Sequence, residues 1–385
     1  MNRPSQREND APLPGMLGLR GVACMAVFMV HFQQQTQVDA TIGFFQVGRF
    51  LKNGNTGVAL FFALSGFLLS IPFWRDLIFQ ESFPSLSVFW LKRLGRILPA
   101  YVLCLTGLVL LNRHWQEPGG AADILLHYAL AFNYQETSIF SINPPFWTLA
   151  VEAQFYLVLP LVFLLLRGAR PITAIVALLC LCAAAYFAHV FLVTSWEQIS
   201  APQSPPSAVL HYSLLAHLPH FLLGVLVVPL YFRISKANRA HASWVQPTSE
   251  IAVWFASLVA LVILATDLDD LLRVPDGRYN LPVIPLLLVT ILCLVPFSVF
   301  ARGLLETFPW RTLGTISYGV YLYHLPLQHA TARYMKQLFA LDAASHWLMF
   351  GFASLTLTVV IASLSFILVE KPILSLVRKN LGRSP

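Results

Sequence analysis

Two residues whose types could do chemistry together are Arg20 and His31. Both lie in an otherwise apolar run from Leu17 to Phe32, eleven positions apart. A helix turns about 100° per residue, so eleven steps return to within about 20° of the starting direction. The two side chains therefore share one face, about 16 Å apart along the axis. Histidine titrates near neutral pH and can take a proton from a hydroxyl, while arginine can hold an anion. Ionisable groups inside a spanning helix are expensive and normally face a cavity or a partner.

Four further stretches break the apolar pattern. Glu152 and Tyr156 stand at i, i+4 in a run opening Asn143-Pro-Pro-Phe-Trp147-Thr148, so they share a helix face. A buried carboxylate needs a partner or stays protonated, which leaves a link to a neighbouring helix and a catalytic role equally open for Glu152. Ser317, Tyr321 and His324 fall at i, i+4, i+7, one polar stripe on an otherwise lipid-compatible helix. Arg93 and Arg96, at i, i+3 in a basic loop with Lys92, read as a membrane-surface anchor or as a clamp for the phosphates of a nucleotide-bearing donor. Ser65-Gly66, between large apolar residues, reads by itself as a close helix contact.

The elements that must position these residues are membrane helices. The chain has 385 residues, 57% hydrophobic and only 11% charged, less than half the charged fraction of soluble domains. Spans of about twenty residues fit near 17–34, 56–74, 97–111, 146–166, 172–194, 212–232, 249–266, 281–300, 312–331 and 346–369. The third is short and can borrow from Phe89 to Gly95; Ile124 to Phe132 is too short to cross. The fold class is thus all-α, a polytopic bundle of about ten spans. Residues 1–15 are expected to be a disordered cytoplasmic lead into an uncleaved first span, with 16–372 the membrane domain and 373–385 a cytoplasmic tail. Both termini inside places 18 of the 25 lysines and arginines on the cytoplasmic side, a positive-inside bias that explains the net charge of +7 without nucleic acid. By depth, His31, His324 and Glu152 then share the outer half of the membrane. The five cysteines all lie in apolar segments and read as packing residues. His211, His217 and His220 lack a carboxylate at ligand spacing, so no metal is expected.

Taken in order, these stretches resemble the acyltransferase-3 family of membrane-bound acyltransferases. The arginine–histidine pair, Phe61-Phe62-Ala-Leu-Ser65-Gly66, Arg93-Leu-Gly-Arg96-Ile-Leu-Pro99-Ala-Tyr101, Trp147 to Tyr156, Ile316 to His324 and Glu370-Lys371-Pro372 are similar to its motifs. The chain departs from the family pattern at Leu17 and Ala59, where aspartates are common, at Lys92 for arginine, and at Thr148 for serine. No appended extracytoplasmic hydrolase-like domain is expected after the short tail.

The resemblance implies an enzyme that moves an acyl group, acetyl by default, from a cytosolic acyl-CoA to a hydroxyl of an extracytoplasmic or membrane-associated acceptor, a glycan or small secreted molecule. It implies catalytic roles for His31, Arg20, Glu152 and His324. Donor contacts are expected from Arg93, Arg96, Arg20 and Ser65, and acceptor contacts from Trp147, Tyr156, Ser317 and Tyr321. His31 would be the general base, or alternatively a transient acyl carrier. The expected setting is a multi-pass protein of a cell membrane, in bacteria the inner one, with lipid, acyl-CoA and the acceptor as partners. The competing reading is a proton-coupled transporter of a small polar solute, which would also place His, Arg and Glu in its spans.

Overall fold

The structure, a computed structural model, describes residues 13–199, 207–268 and 283–381. Parts of the expected N-terminal lead and tail, and the loop with Arg273 and Arg278, lie outside them. Helices follow one another as α1 (Met16–Thr36), α2 (Val47–Lys52), α3 (Thr56–Phe79), α4 (Leu86–Asn112), α5 (Gly120–Tyr128), α6 (Trp147–Leu165) and α7 (Pro171–Ile199). Then come α8 (Ala208–His211), α9 (Leu214–Arg239), α10 (Val245–Ala265), α11 (Val283–Leu294), α12 (Val299–Leu305), α13 (Phe308–Phe339), α14 (Trp347–Ser365) and α15 (Lys371–Leu381). The sole ladder among the described residues is a hairpin pairing Thr41 with Gln46 and Ile42 with Phe45.

All ten expected segments fall on helices, but two differ from simple spans. Eight helices among the described residues are long and apolar enough to cross a membrane, nine if α11 and α12 count as one. Those two meet at a 96° bend. The bend is fastened by Glu250 of α10, which accepts from Ser298 Oγ and the Val299 and Phe300 N–H groups at 2.8, 2.8 and 3.2 Å. The other exception is α13, which is 32 residues long but too polar to count on composition. It is packed against α1 and α14 and buries Ser317, Tyr321, His324 and Gln328. A helix screened from lipid by its neighbours need not be apolar.

Small residues let these helices approach to backbone contact, the packing that membrane helices use where lipid removes the hydrophobic drive. A Cβ on Gly314 of α13 would lie 1.7 Å from the Leu17 carbonyl oxygen of α1. The pair α3 and α9 locks reciprocally, since a Cβ on Gly66 would meet Phe221 O and one on Gly224 would meet Ala63 O, each at 2.0 Å.

Prolines tie further helices together. A proline inside a helix leaves the carbonyl four residues back without its donor, and in hydrocarbon no water replaces it. Pro160 so strands the Tyr156 carbonyl, and the Trp90 indole N–H donates to it at 3.0 Å. Pro229 strands Val225, served by the Trp74 indole at 2.9 Å. Pro326 strands Leu322, served by the Asn143 amide at 3.1 Å. Each substitute comes from a different segment, so each proline becomes a point of tertiary fixation.

Candidate active site

α1, α3, α6 and α13 enclose a chamber of about 40 Å³ lined by Arg20, Val58, Glu152, Ser317, Tyr318 and Tyr321, among others. Arg20 makes no hydrogen bond to any described residue, and its Nε is buried. Glu152 Oε1 accepts from Ser65 Oγ at 2.7 Å and from Tyr156 OH at 2.6 Å. Glu152 is thus both a link between α6 and α3 and a wall of the chamber. Arg20 and Glu152 lie within electrostatic reach of one another without forming an ion pair. A guanidinium and a carboxyl group that share a chamber without touching leave a slot for a polar group.

Glu152 and His31, expected at similar depth, do not share a void; Glu152 lines the chamber of Arg20. The turn Pro144–Phe146 that precedes α6 is sunk in the protein, with Phe146 fully buried.

The histidines meet elsewhere. His31 lines a second, wider cavity of about 910 Å³ together with Gln34, Lys52, Asn53, Trp147 and His329, among others. His31 Nδ1 lies 2.8 Å from Gln34 Oε1. An amide oxygen only accepts, so the contact suits the tautomer with the proton on Nδ1, and in neutral imidazole Nε2 then keeps its lone pair. The His324 ring is centred 5.0 Å from that of His31. It is buried, its Nδ1–H donates to the Tyr321 and Val320 carbonyls at 2.8 and 3.1 Å, and its Nε2 has no partner. Trp147 packs its ring 4.8 Å from those of Tyr212 and His217.

Arg20 and His31 thus share a face of one helix but open into different voids. Val58 and Tyr321 line both. The Tyr321 hydroxyl is pinned, accepting from Thr148 Oγ1 at 2.8 Å and donating to Pro145 O at 3.3 Å. Ser317 lines the small chamber, yet its hydroxyl turns back to Gly314 O at 2.9 Å. Tyr156 is not on either void; it lines a third, of about 50 Å³, with Arg93 and Trp90. Arg93 keeps a buried Nε without a partner and sets its guanidinium 5.8 Å from the Phe89 ring centre. Arg96 and Arg93 both lie within electrostatic reach of Arg20.

An acyltransferase domain, that of the acyltransferase-3 family, matches residues 14–366. The chain belongs to that family. Among curated proteins this family member is 26% identical over 339 residues to Bacillus subtilis YrhL, whose name carries peptidoglycan O-acetyltransferase as a provisional assignment, covering 82% of this chain and 48% of the relative. It is 24% identical over 335 residues to the Staphylococcus aureus O-acetyltransferase OatA, covering 82% and 50%. It is 31% identical over 237 residues to the Streptomyces mycarofaciens acyltransferase MdmB, covering 56% of each. The chain spans about half the length of these three relatives. No solved structure matches. The family leaves the transporter reading without support.

Three residues of this acyltransferase-3 site carry no expectation from sequence. Gln34 stands one turn beyond His31 inside a Gln33-Gln34-Gln35 run, a polar end to an apolar segment that could have marked it. Val58 is apolar among apolar residues and sends no signal. Glu370 is quoted in the closing motif without a role; it is 3% exposed, ends the π-helical turn Phe366–Glu370, and lies within electrostatic reach of Arg96 and Arg20.

Proposed function

We propose that this chain is a membrane-bound O-acyltransferase that moves an acetyl group from acetyl-CoA to a hydroxyl of a cell-envelope glycan. The observation that carries this reading is the state of His31. Its Nδ1 is held by Gln34, so the basic Nε2 is left for a hydroxyl in a cavity wide enough for a sugar. Following the distribution of positive charge, the Arg93 and Arg96 end is taken as cytoplasmic and the His31 cavity as outward-facing. The nucleotide phosphates of the donor would sit at Arg93 and Arg96, whose guanidinium groups have no carboxylate partner among the described residues. The pantetheine arm would pass Arg20 and bring the thioester toward the partition.

Transfer then balances as follows. The acceptor hydroxyl gives its proton to His31 Nε2 while its oxygen bonds to the thioester carbonyl carbon. The C–S bond breaks, and the leaving thiolate takes the proton back from the imidazolium. The developing oxyanion needs a positive or hydrogen-bonding partner, and Arg20, which lines the small chamber with Val58 and Tyr321 and makes no ion pair among the described residues, would supply it. Glu152, anchored by Ser65 and Tyr156, would orient Arg20 across the chamber. His324, buried and not among the residues that line the wide cavity, would serve as packing and electrostatic neighbour to His31. Loss of acetyl transfer to envelope material in His31→Ala vesicles, with protein abundance unchanged, tests the assignment; a fully active variant removes it.

A further inference from the structure

We propose that Val58 sets the length of the acyl group that can be transferred, acting with Tyr321 as the wall between the two voids. The proposal rests on the acyl-transfer reading above. If the donor's nucleotide lies at Arg93 and Arg96, the acyl group is its leading end. The acyl group then enters the small chamber, and its carbonyl meets the His31 cavity at the boundary that Val58 and Tyr321 share.

The wall is stiff on both sides. Val58 is 6% exposed, and its branched side chain has one strongly preferred rotamer in a helix. Its backbone cannot retreat, because the preceding Gly57 is pressed onto α1, where an added Cβ would lie 2.5 Å from Ala23 O. Tyr321 is pinned through its hydroxyl and meets the Phe61 ring edge-on at 5.9 Å. The space behind the wall is about 40 Å³. That is room for only a few water-sized groups, so the chamber favours a short acyl group. A butyryl group brings two more carbons than acetyl and must displace the wall. Val58→Ala removes two methyl groups from that wall and joins the chamber to the wider cavity.

The test is a competition between acetyl-CoA and butyryl-CoA, carrying different isotopes, in vesicles from the producing cells, which hold the native acceptor. The butyryl-to-acetyl ratio in transferred label is independent of protein abundance. Val58→Ala is expected to raise that ratio about tenfold or more, the discrimination that a pocket achieves per methylene. Val58→Ile, which keeps the fold apolar and close-packed, is expected to lower the propionyl-to-acetyl ratio in the same competition run with propionyl-CoA in place of butyryl-CoA. Ratios within about twofold of wild type in both variants overturn the proposal. So does a wild-type protein that already favours butyryl. A wild-type protein that transfers neither label overturns the acyl-transfer reading itself, a result distinct from turnover with unchanged ratios.

Discussion

The side-chain oxygen of Gln34 lies 2.8 Å from Nδ1 of His31, one turn away on the same helix. The contact assigns the imidazole tautomer before any substrate arrives. Gln34→Leu removes it and lets the ring rotate or change tautomer. The expected result is a loss of about 10- to 100-fold in kcat/KM, the scale seen where a partner that orients a metal-bound histidine is removed, with little change in unfolding temperature. Steady-state transfer rates beside a thermal melt of the purified protein check both halves.

Glu152 Oε1 holds two donors, Ser65 and Tyr156. Ser65→Ala, which removes a hydrogen bond between helices, and Tyr156→Phe, which removes one within α6, are each expected to destabilise the protein by about 1 kcal/mol. Because both act on one oxygen, the double variant should depart from the sum of the singles. Unfolding in a graded denaturing detergent, run as a double-mutant cycle, measures the departure.

Trp90 compensates a defect that Pro160 creates. Trp90→Phe leaves the Tyr156 carbonyl without a donor and should lower stability by about 1–3 kcal/mol. Pro160→Ala restores a backbone N–H four residues on. The double variant Trp90→Phe with Pro160→Ala should therefore be less impaired than Trp90→Phe alone, a sign reversal that simple loss of packing does not produce. Thermal melts of the three variants read it.

Gly314 and Gly303 offer a contrast within neighbouring helices. A Cβ at Gly314 would fall 1.7 Å from Leu17 O, while one at Gly303 meets nothing within 4 Å. Gly314→Ala should push α1 from α13, displacing Arg20 and His31 together, and cost both stability and transfer. Gly303→Ala should be neutral or gain up to about 1 kcal/mol, since alanine favours a helix. Parallel melts and activity measurements separate the two.

Much of this arrangement is legible in the sequence because helical spacing is a local rule. The common face of Arg20 and His31, the Glu152–Tyr156 pair and the Ser317–Tyr321–His324 stripe all follow from 3.6 residues per turn. Depth and facing across helices do not. Glu152 pairs with Ser65, 87 positions away, and no periodicity announces that contact. Depth does not say which void a side chain lines, and Glu152 lines that of Arg20 rather than that of His31. The bend between α11 and α12 escapes for a similar reason, since an apolar run of span length carries no sign that it turns by 96°. Val58 is invisible altogether, because a valine that walls a chamber and one that faces a helix have the same local pattern.

The most direct measurement is transfer of labelled acetyl from acetyl-CoA to envelope material by wild-type and His31→Ala proteins reconstituted at equal abundance. The account predicts that wild type transfers label and that His31→Ala loses at least about 100-fold, the contribution of a positioned general base. Transfer by His31→Ala at the wild-type rate would contradict it.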